Sequence, residues 1–211
     1  FYERLACCTA NPAPRYYAGA AGEQDGVVIV MEDLAPASTG DALEGCTPEE
    51  AWEVLRVMAG WHARWWKQAP SSAVTWLPSA VSDALARQAR FQQRSNVFLA
   101  RYGSSLPRPV VSIIADLQGQ LADVIIKLAR SPRTIIHADL HLDNVLFHDQ
   151  RHARRATIID WQSVAIGPAA LDAAPFLAGA LPTFEHRLYG EELLEAYWLE
   201  LDGHGIVDYG Y

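Results

Sequence analysis

The chain has 211 residues, half of them hydrophobic and a fifth charged, with a net charge of -8 and a pI near 5.3. That length buries a full core, as one large domain or as a domain with a smaller companion. An acidic chain without a basic stripe repels phosphate backbones, which sets nucleic acid aside as a partner.

The first stretch, "FYERLA", reads as a helix already under way, with no capping residue before it and Phe1 in place of methionine. On that reading the sequence is a fragment of a longer chain. "NPAPRYY" carries two prolines and predicts a loop. "RYYAG" and "GVVIVMEDL" predict two strands joined through "EQDG", whose Asp-Gly is a turn signal. The unbroken aliphatic run "GVVIVM" is expected to be covered on both faces. A two-stranded hairpin with one helix is too little for a stable domain, so it should lean on something else.

From Thr47 the signals turn helical. "TPEE" has the form of a capping box, with Thr47 as N-cap, Pro48 first in the helix and Glu50 third. Trp52, Leu55, Met58, Ala59, His62, Trp65 and Trp66 follow at helical steps, so the tryptophans are expected in the core rather than in an open aromatic cage. Two more helical patterns run over about 79–102 and 110–129. Then come a short strand ending near Ile136, a polar motif, "VLF", the polar turn "HDQRHARR" and the strand "ATIID". "GPAALDAAPFLAGAL" predicts a buried helix, and "EELLEAYWLELDG" a last helix ending at Gly203. The apolar stretch 165–184 contains Asp172 and three prolines (Pro168, Pro175, Pro182), which argues against a membrane span. Three cysteines, Cys7, Cys8 and Cys46, offer neither a disulfide framework nor a CxxC zinc pair, and fit a reducing cytoplasm. The element order lacks the regular alternation of a parallel sheet. It predicts an α+β protein, a helical domain carrying a small catalytic hairpin.

In "TIIHADLHLDNVLF", His137, Asp139, His141 and Asp143 fall at every second position. In a flat strand all four would share one face. One reading is then a metal-dependent hydrolase that uses His137, Asp139 and His141 as ligands. Such sites draw ligands from several strands, and His148, His152, His186 and His204 lack strand context. The other reading takes His137, Asp139 and Asn144 as H-x-D-x-x-x-x-N, with Asp160 closing an aliphatic strand downstream. Phosphoryl transfer needs a carboxylate to accept the proton of the attacking hydroxyl, and an amide and a second carboxylate to hold magnesium. Asp139, Asn144 and Asp160 have those places.

The run "IIHADLHLDNVLF…TIIDWQSVAIGPAALDAAPFL" resembles the aminoglycoside phosphotransferase and choline-kinase-like group, including its ecdysteroid-kinase-like branch. These are small-molecule kinases of protein-kinase-like fold. "HADLHLDN" resembles the group's H-G-D-x-H-x-x-N, "IDWQ" stands where protein kinases have D-F-G, and "GVVIVMEDL" is similar to the strand and hinge that meet adenine. The resemblance implies ATP and Mg2+, with a small-molecule hydroxyl as acceptor. It implies Asp139 as catalytic base and Asn144 and Asp160 as metal ligands. Met31, Glu32, Asp33 and Leu34 would be the adenine-contacting hinge, and His137 and Asp172 the supports of the catalytic loop. Residues 1–34 would be a remnant of the N-terminal lobe, a helix and a β-hairpin, and 35–211 a helical C-terminal lobe. If so, 137–144 is a loop with Asp139 toward an open cleft, Asn144 and Asp160 converging beside it, and His137 turned inward. His141 is expected either to stabilise the loop or to touch substrate, Asp143 to be a solvated or capping residue, and Trp161 to lie near the site.

The chain departs from the pattern in two ways. Ala138 replaces the usual glycine. No glycine-rich phosphate loop precedes the hinge, and the only lysines, Lys67 and Lys127, lie beyond it. Either the chain is a fragment lacking most of its small lobe, or it is a pseudokinase-like binding protein.

Overall fold

The computed structural model describes residues 1–6, 11–22, 26–67, 74–150, 153–207 and 209. The "EQDG" turn, Cys7, Cys8 and His152 fall wholly or partly outside them. The chain forms two compact units, Phe1–Pro78 with Arg133–Tyr211, and Ser79–Pro132.

In the first unit, "FYERLA" is a turn rather than a helix: the Arg4 and Leu5 amides both donate to the Phe1 carbonyl, at 3.1 and 2.8 Å. A single turn fixes its dihedrals for too few hydrogen bonds to persist as a helix. What anchors it is packing, since Leu5 is fully buried and the Phe1 ring stacks on Trp161 at 4.3 Å. Strands β1 (Tyr16–Ala21) and β2 (Val27–Met31) pair antiparallel, Tyr16 opposite Met31 and Ala21 opposite Val27. Among the described residues nothing gives β2 the expected double cover. Its side chains are exposed, from 36% at Met31 to 70% at Val27, because the ribbon is a two-stranded sheet of its own. β-Branched residues favour the pleated backbone whether or not anything lies on it.

β3 (Ser38–Thr39) follows, and downstream come β4 (Thr134–Ile136), β5 (Val145–Gln150), β6 (Ala153–Ile158) and β7 (Ala165–Gly167). β5 lies between β3 and β6, antiparallel to both, and β4 pairs antiparallel with β7. β5 and β6 thus reach further into "HDQRHARR" than the sequence predicts. His148 sits in β5, opposite Arg155, with Nε2 3.1 Å from the Thr157 hydroxyl.

Helix α1 (Pro48–Arg64) starts on the predicted capping box: Glu50 N–H donates to Thr47 Oγ1 at 3.2 Å, and Thr47 N–H donates to the Glu50 carboxylate at 2.9 Å. Its buried stripe is Ala51, Val54, Leu55, Met58, Ala59, Trp61 and His62, the helical spacing of a core face. Trp61 donates its indole N–H to the Ile135 carbonyl at 2.9 Å, which ties α1 to β4. α1 packs on α4 (Ala170–Ala180) and α5 (Thr183–Gly203), so the core lies between these helices and the small sheets. α5 begins earlier than "EELLEAYW", because Pro182 immediately before it sets the N-terminus and "FEHRLY" continues the helix.

The second unit is a pair of helices, α2 (Ala84–Tyr102) and α3 (Arg108–Leu128). α2 starts later than the apolar pattern predicts because Asp83 takes a left-handed conformation (φ 53). The two helices join through polar side chains: Gln118 Nε2 donates to Ser95 Oγ and Asn96 Oδ1, each at 2.8 Å, and Gln88 Oε1 accepts from the Ala122 amide. α3 is long and apolar enough to cross a bilayer. Asp116 and Asp123 within it would be costly there.

Gly40 joins the hinge side to the polar motif. Its N–H donates to the Val145 carbonyl at 2.9 Å, and a Cβ at this position would meet the Leu142 carbonyl oxygen at 2.6 Å. Gly40→Ala therefore forces one backbone away from the other, a strain expected to cost about 1–3 kcal/mol. Urea unfolding checks this, and an unchanged midpoint would contradict it.

Candidate active site

β4 ends at Ile136, and residues 137–144 form a loop that closes with a 3-10 turn at Leu142–Asn144. The alternation of a flat strand is broken at Ala138, whose φ is 64. An L-residue pays for that conformation, so something must hold it. The holder is Asp172, in the first turn of α4 and 1% exposed. Its Oδ2 accepts the His137 amide at 2.7 Å, its Oδ1 accepts the Ala138 amide at 2.9 Å, and His62 Nε2 lies 3.1 Å from Oδ2.

His137 turns inward and is buried. Its Nε2 is 2.8 Å from the Ile159 carbonyl, and its Nδ1 accepts the Asp139 amide at 3.3 Å. Both ring nitrogens are thereby occupied, with Nε2 carrying the proton, and the ring packs edge-on against Trp161. The row of polar residues is split. His137 does not share a focus with Asp139 and His141, and among the described residues no group of three His, Cys, Asp or Glu side chains is set to hold a metal ion.

Asp139 projects outward, its side chain 49% exposed, with His141 Nε2 3.9 Å from its Oδ1. Asn144 is buried and oriented. Its Nδ2 donates to the Asp139 carbonyl at 3.0 Å and to His141 Nε2 at 3.1 Å, leaving Oδ1 without a hydrogen bond among the described residues. His141 Nδ1 faces Asp143 at 3.5 Å, so His141 braces the loop. Asp143 is a cap, as expected of it: its Oδ1 accepts the Ala42 amide at 3.0 Å.

Asp160 follows β6 in a left-handed conformation (φ 59), which aspartate tolerates better than most residues. The register pairs Val145 with Ile158, and the Ile159 amide donates to the Asn144 carbonyl at 2.9 Å. Asn144 and Asp160 therefore stand at the same end of one hairpin, as the sequence predicts. Gln162 Nε2 donates to Asp160 Oδ2 at 3.1 Å. The Tyr2 hydroxyl is held above its ordinary pKa, first by burial and then by the Asp160 charge, so the first turn of the chain reaches this end too. Trp161 lies beneath the site as packing, stacked on Phe1 and set against Trp61 and His137.

The four hinge residues form the end of β2 and the turn after it. Met31 pairs with Tyr16, the Glu32 amide donates to the Arg15 carbonyl at 2.8 Å, Asp33 Oδ1 accepts from the Ala35 amide, and the Leu34 carbonyl accepts from the Ala37 amide. The Glu32 carbonyl and the Leu34 amide have no hydrogen bond among the described residues. β3 then carries the chain onto β5, next to Asn144. Cys46 takes no part: burial, then the Glu50 charge, pushes its thiol up to about 12.

Sequence reasoning placed His62 only on a core face and missed Tyr2, Tyr197 and Gln162. The signal for His62 was a titratable ring on an otherwise apolar stripe, which obliges a buried partner. No local pattern marks Tyr197, whose hydroxyl lies 2.7 Å from His62 Nδ1 across a long sequence separation.

An α+β body with small sheets, a hairpin bearing an HxDxxxxN loop and a strand-end aspartate defines the protein-kinase-like fold of small-molecule phosphotransferases. The profile of the phosphotransferase enzyme family (APH) matches residues 1–204, and the chain belongs to that family. Solved structures agree on the fold. A choline/ethanolamine kinase family protein from Mesorhizobium loti superposes with a TM-score of 0.56 at 18% identity, over 94% of this chain and 60% of that one. A choline kinase from Cryptosporidium parvum gives 0.57 at 16% identity, over 96% and 60%. An aminoglycoside-3'-phosphotransferase of type VIII gives 0.53 at 21% identity, over 100% and 73%. The chain thus spans 60% of the length of the first two. No curated protein matches its sequence.

Ala138 supplies a test of how the loop is held. The left-handed conformation costs an L-residue roughly 1–2 kcal/mol, and glycine gives back about 0.5–1 of that through its looser unfolded chain. Ala138→Gly is expected to stabilise the protein by up to about 1 kcal/mol in urea unfolding. A clear loss of stability would show that the Ala138 backbone is not strained.

Proposed function

We propose that the protein to which this chain belongs transfers the γ-phosphate of ATP to a hydroxyl of a small molecule, with Asp139 as general base. The observation that carries this reading is the separation of roles within one loop. An exposed Asp139 carboxylate stands at the apex, His137 is turned into the core, and Asn144 Oδ1 and Asp160 are presented together at the end of one hairpin. In the proposed step, Asp139 accepts the proton of the acceptor hydroxyl as its oxygen forms a bond to the γ-phosphorus. The bond from that phosphorus to the bridging oxygen breaks, and ADP leaves.

Asn144 and Asp160 fit Mg2+, since a carboxamide oxygen and a carboxylate are the hard donors that ion prefers. When bound, the ion would neutralise charge on the nucleotide phosphates. The chain's own part is to fix those oxygens: Asn144 through its two Nδ2 hydrogen bonds, Asp160 through Gln162. The Glu32 carbonyl and Leu34 amide, without a hydrogen bond among the described residues, support the hinge assignment of Met31 to Leu34, because an adenine edge offers a donor and an acceptor to such a pair. We propose further that residues 1–34 belong to a larger nucleotide-binding lobe. The exposed aliphatic β2 and the partial span of the matched kinases support this.

A second reading has one observation in its favour: the only lysines are Lys67 and Lys127, both beyond the hinge, as a nucleotide-binding module without turnover would allow. Kinetics separate the two. In a protein extended upstream over the whole lobe, Asp139→Asn should lower turnover by about a hundred- to ten-thousand-fold with nucleotide binding and fold preserved. Asp160→Ala should also weaken Mg2+-nucleotide binding. Near-full activity of Asp139→Asn would remove the base assignment, and absence of phosphotransfer to every alcohol tried would favour the binding module. The 211-residue chain by itself is expected to bind ATP weakly, because positioning of the phosphates dominates this chemistry. Calorimetry on the chain as it stands checks that, and tight ATP binding would contradict it.

A further inference from the structure

The buried support of the loop extends past Asp172. His62, on α1 and 0% exposed, has Nε2 at 3.1 Å from Asp172 Oδ2 and Nδ1 at 2.7 Å from the hydroxyl of Tyr197, on α5 and 3% exposed. In this dry chain every proton must be allotted, since a buried donor left unpaired is costly.

There are three ways to protonate the ring. With the proton on Nδ1, the bare Nε2 lone pair would face the Asp172 oxygen, acceptor against acceptor. As an imidazolium, Nδ1–H would donate to the tyrosine oxygen and leave the Tyr197 O–H without an acceptor among the described residues. With the proton on Nε2, Tyr197 O–H donates to Nδ1, Nε2–H donates to Asp172 Oδ2, and nothing is left over. Tyr197 keeps its proton to supply, because burial, and then the Asp172 charge, hold its hydroxyl well above the ordinary tyrosine range.

We infer that Tyr197 is a positioning residue for the HxDxxxxN loop: its hydroxyl fixes His62 as the Nε2–H tautomer, which aims the imidazole donor at the Asp172 carboxylate. The same carboxylate receives the His137 and Ala138 amides, so α5 is coupled through α1 and α4 to the backbone on which Asp139 stands. His62 is itself fastened to β4, its carbonyl accepting from Thr134 Oγ1 at 2.7 Å. The ring itself lies fully buried between Tyr197 and Asp172, so a change of tautomer costs it the bond to Asp172.

That the loop held in this way is catalytic rests on the phosphotransfer reading. The ring's protonation does not, so its test uses no turnover and the two fail separately. In long-range proton–nitrogen spectra of the 211-residue chain labelled with 15N-histidine, His62 should show a protonated Nε2 and a bare Nδ1. In Tyr197→Phe, which keeps the ring and loses only the hydroxyl, the signature should move to the other tautomer, to a mixture or to the imidazolium. A packing role alone would leave the spectrum unmoved. In unfolding, Tyr197→Phe and His62→Ala should be non-additive, the second change removing most of the effect of the first. An Nδ1–H or imidazolium His62 in the unsubstituted chain overturns the proposal, as does an unshifted spectrum in Tyr197→Phe. Should Tyr197→Phe not fold, the spectrum of the unsubstituted chain decides alone.

Discussion

A single buried carboxylate fixes the shape of this site. Asp172 has no access to water, and a carboxylate in that position must be met by donors on most of its lone pairs. It is met by two consecutive backbone amides, those of His137 and Ala138, and by an imidazole. Consecutive amides in a strand point to opposite sides, so both can reach one carboxylate only where the backbone turns sharply between them. The left-handed Ala138 is that turn. Charge-assisted hydrogen bonds, each worth about 1.5–3 kcal/mol, exceed the roughly 1–2 kcal/mol that the conformation costs an alanine.

Everything the loop presents follows from that turn. A residue of period-two alternation is lost, so His137 goes into the core while Asp139 goes out. The inward ring then becomes a fastening, joined to the Ile159 carbonyl just before Asp160. The loop and the strand-end aspartate are thus held in register by His137 on one side and by the Asn144 carbonyl on the other. Under these rest Trp161, Trp61 and Phe1, with Phe1 stacked on Trp161 and Trp61 set edge-on to it. Aromatic bulk close to the motif is a floor here, with Trp61 and Trp161 buried.

Much of this was legible in the sequence where the signal is local. The capping box at Thr47 needs only four residues, and α1 starts on it. The HxDxxxxN spacing and the strand-end Asp160 placed the loop and the hairpin end, and the inward turn of His137 with support from Asp172 came from the family resemblance. What stayed hidden depends on distant parts of the chain. "FYERLA" has helical composition, yet it is one turn held by the rings it packs on. "VVIVM" is aliphatic enough for a buried strand, yet nothing among the described residues covers it, since composition sets backbone preference and only neighbours set burial. The late start of α2 turns on the conformation of Asp83 alone. The Tyr197–His62–Asp172 chain joins three helices, and no local period encodes such a meeting.

The account therefore stands on the Asp172 carboxylate as the holder of the loop, and amide hydrogen exchange measures it most directly. In Asp172→Asn the carboxamide keeps one acceptor and turns an N–H2 group toward the other amide. Protection at His137 or Ala138, or both, should fall by about ten- to a hundred-fold, the equivalent of one charge-assisted hydrogen bond, while the buried amides of α1 keep theirs. Protection at His137 and Ala138 that stays the same, or that falls only in step with α1, would contradict the account.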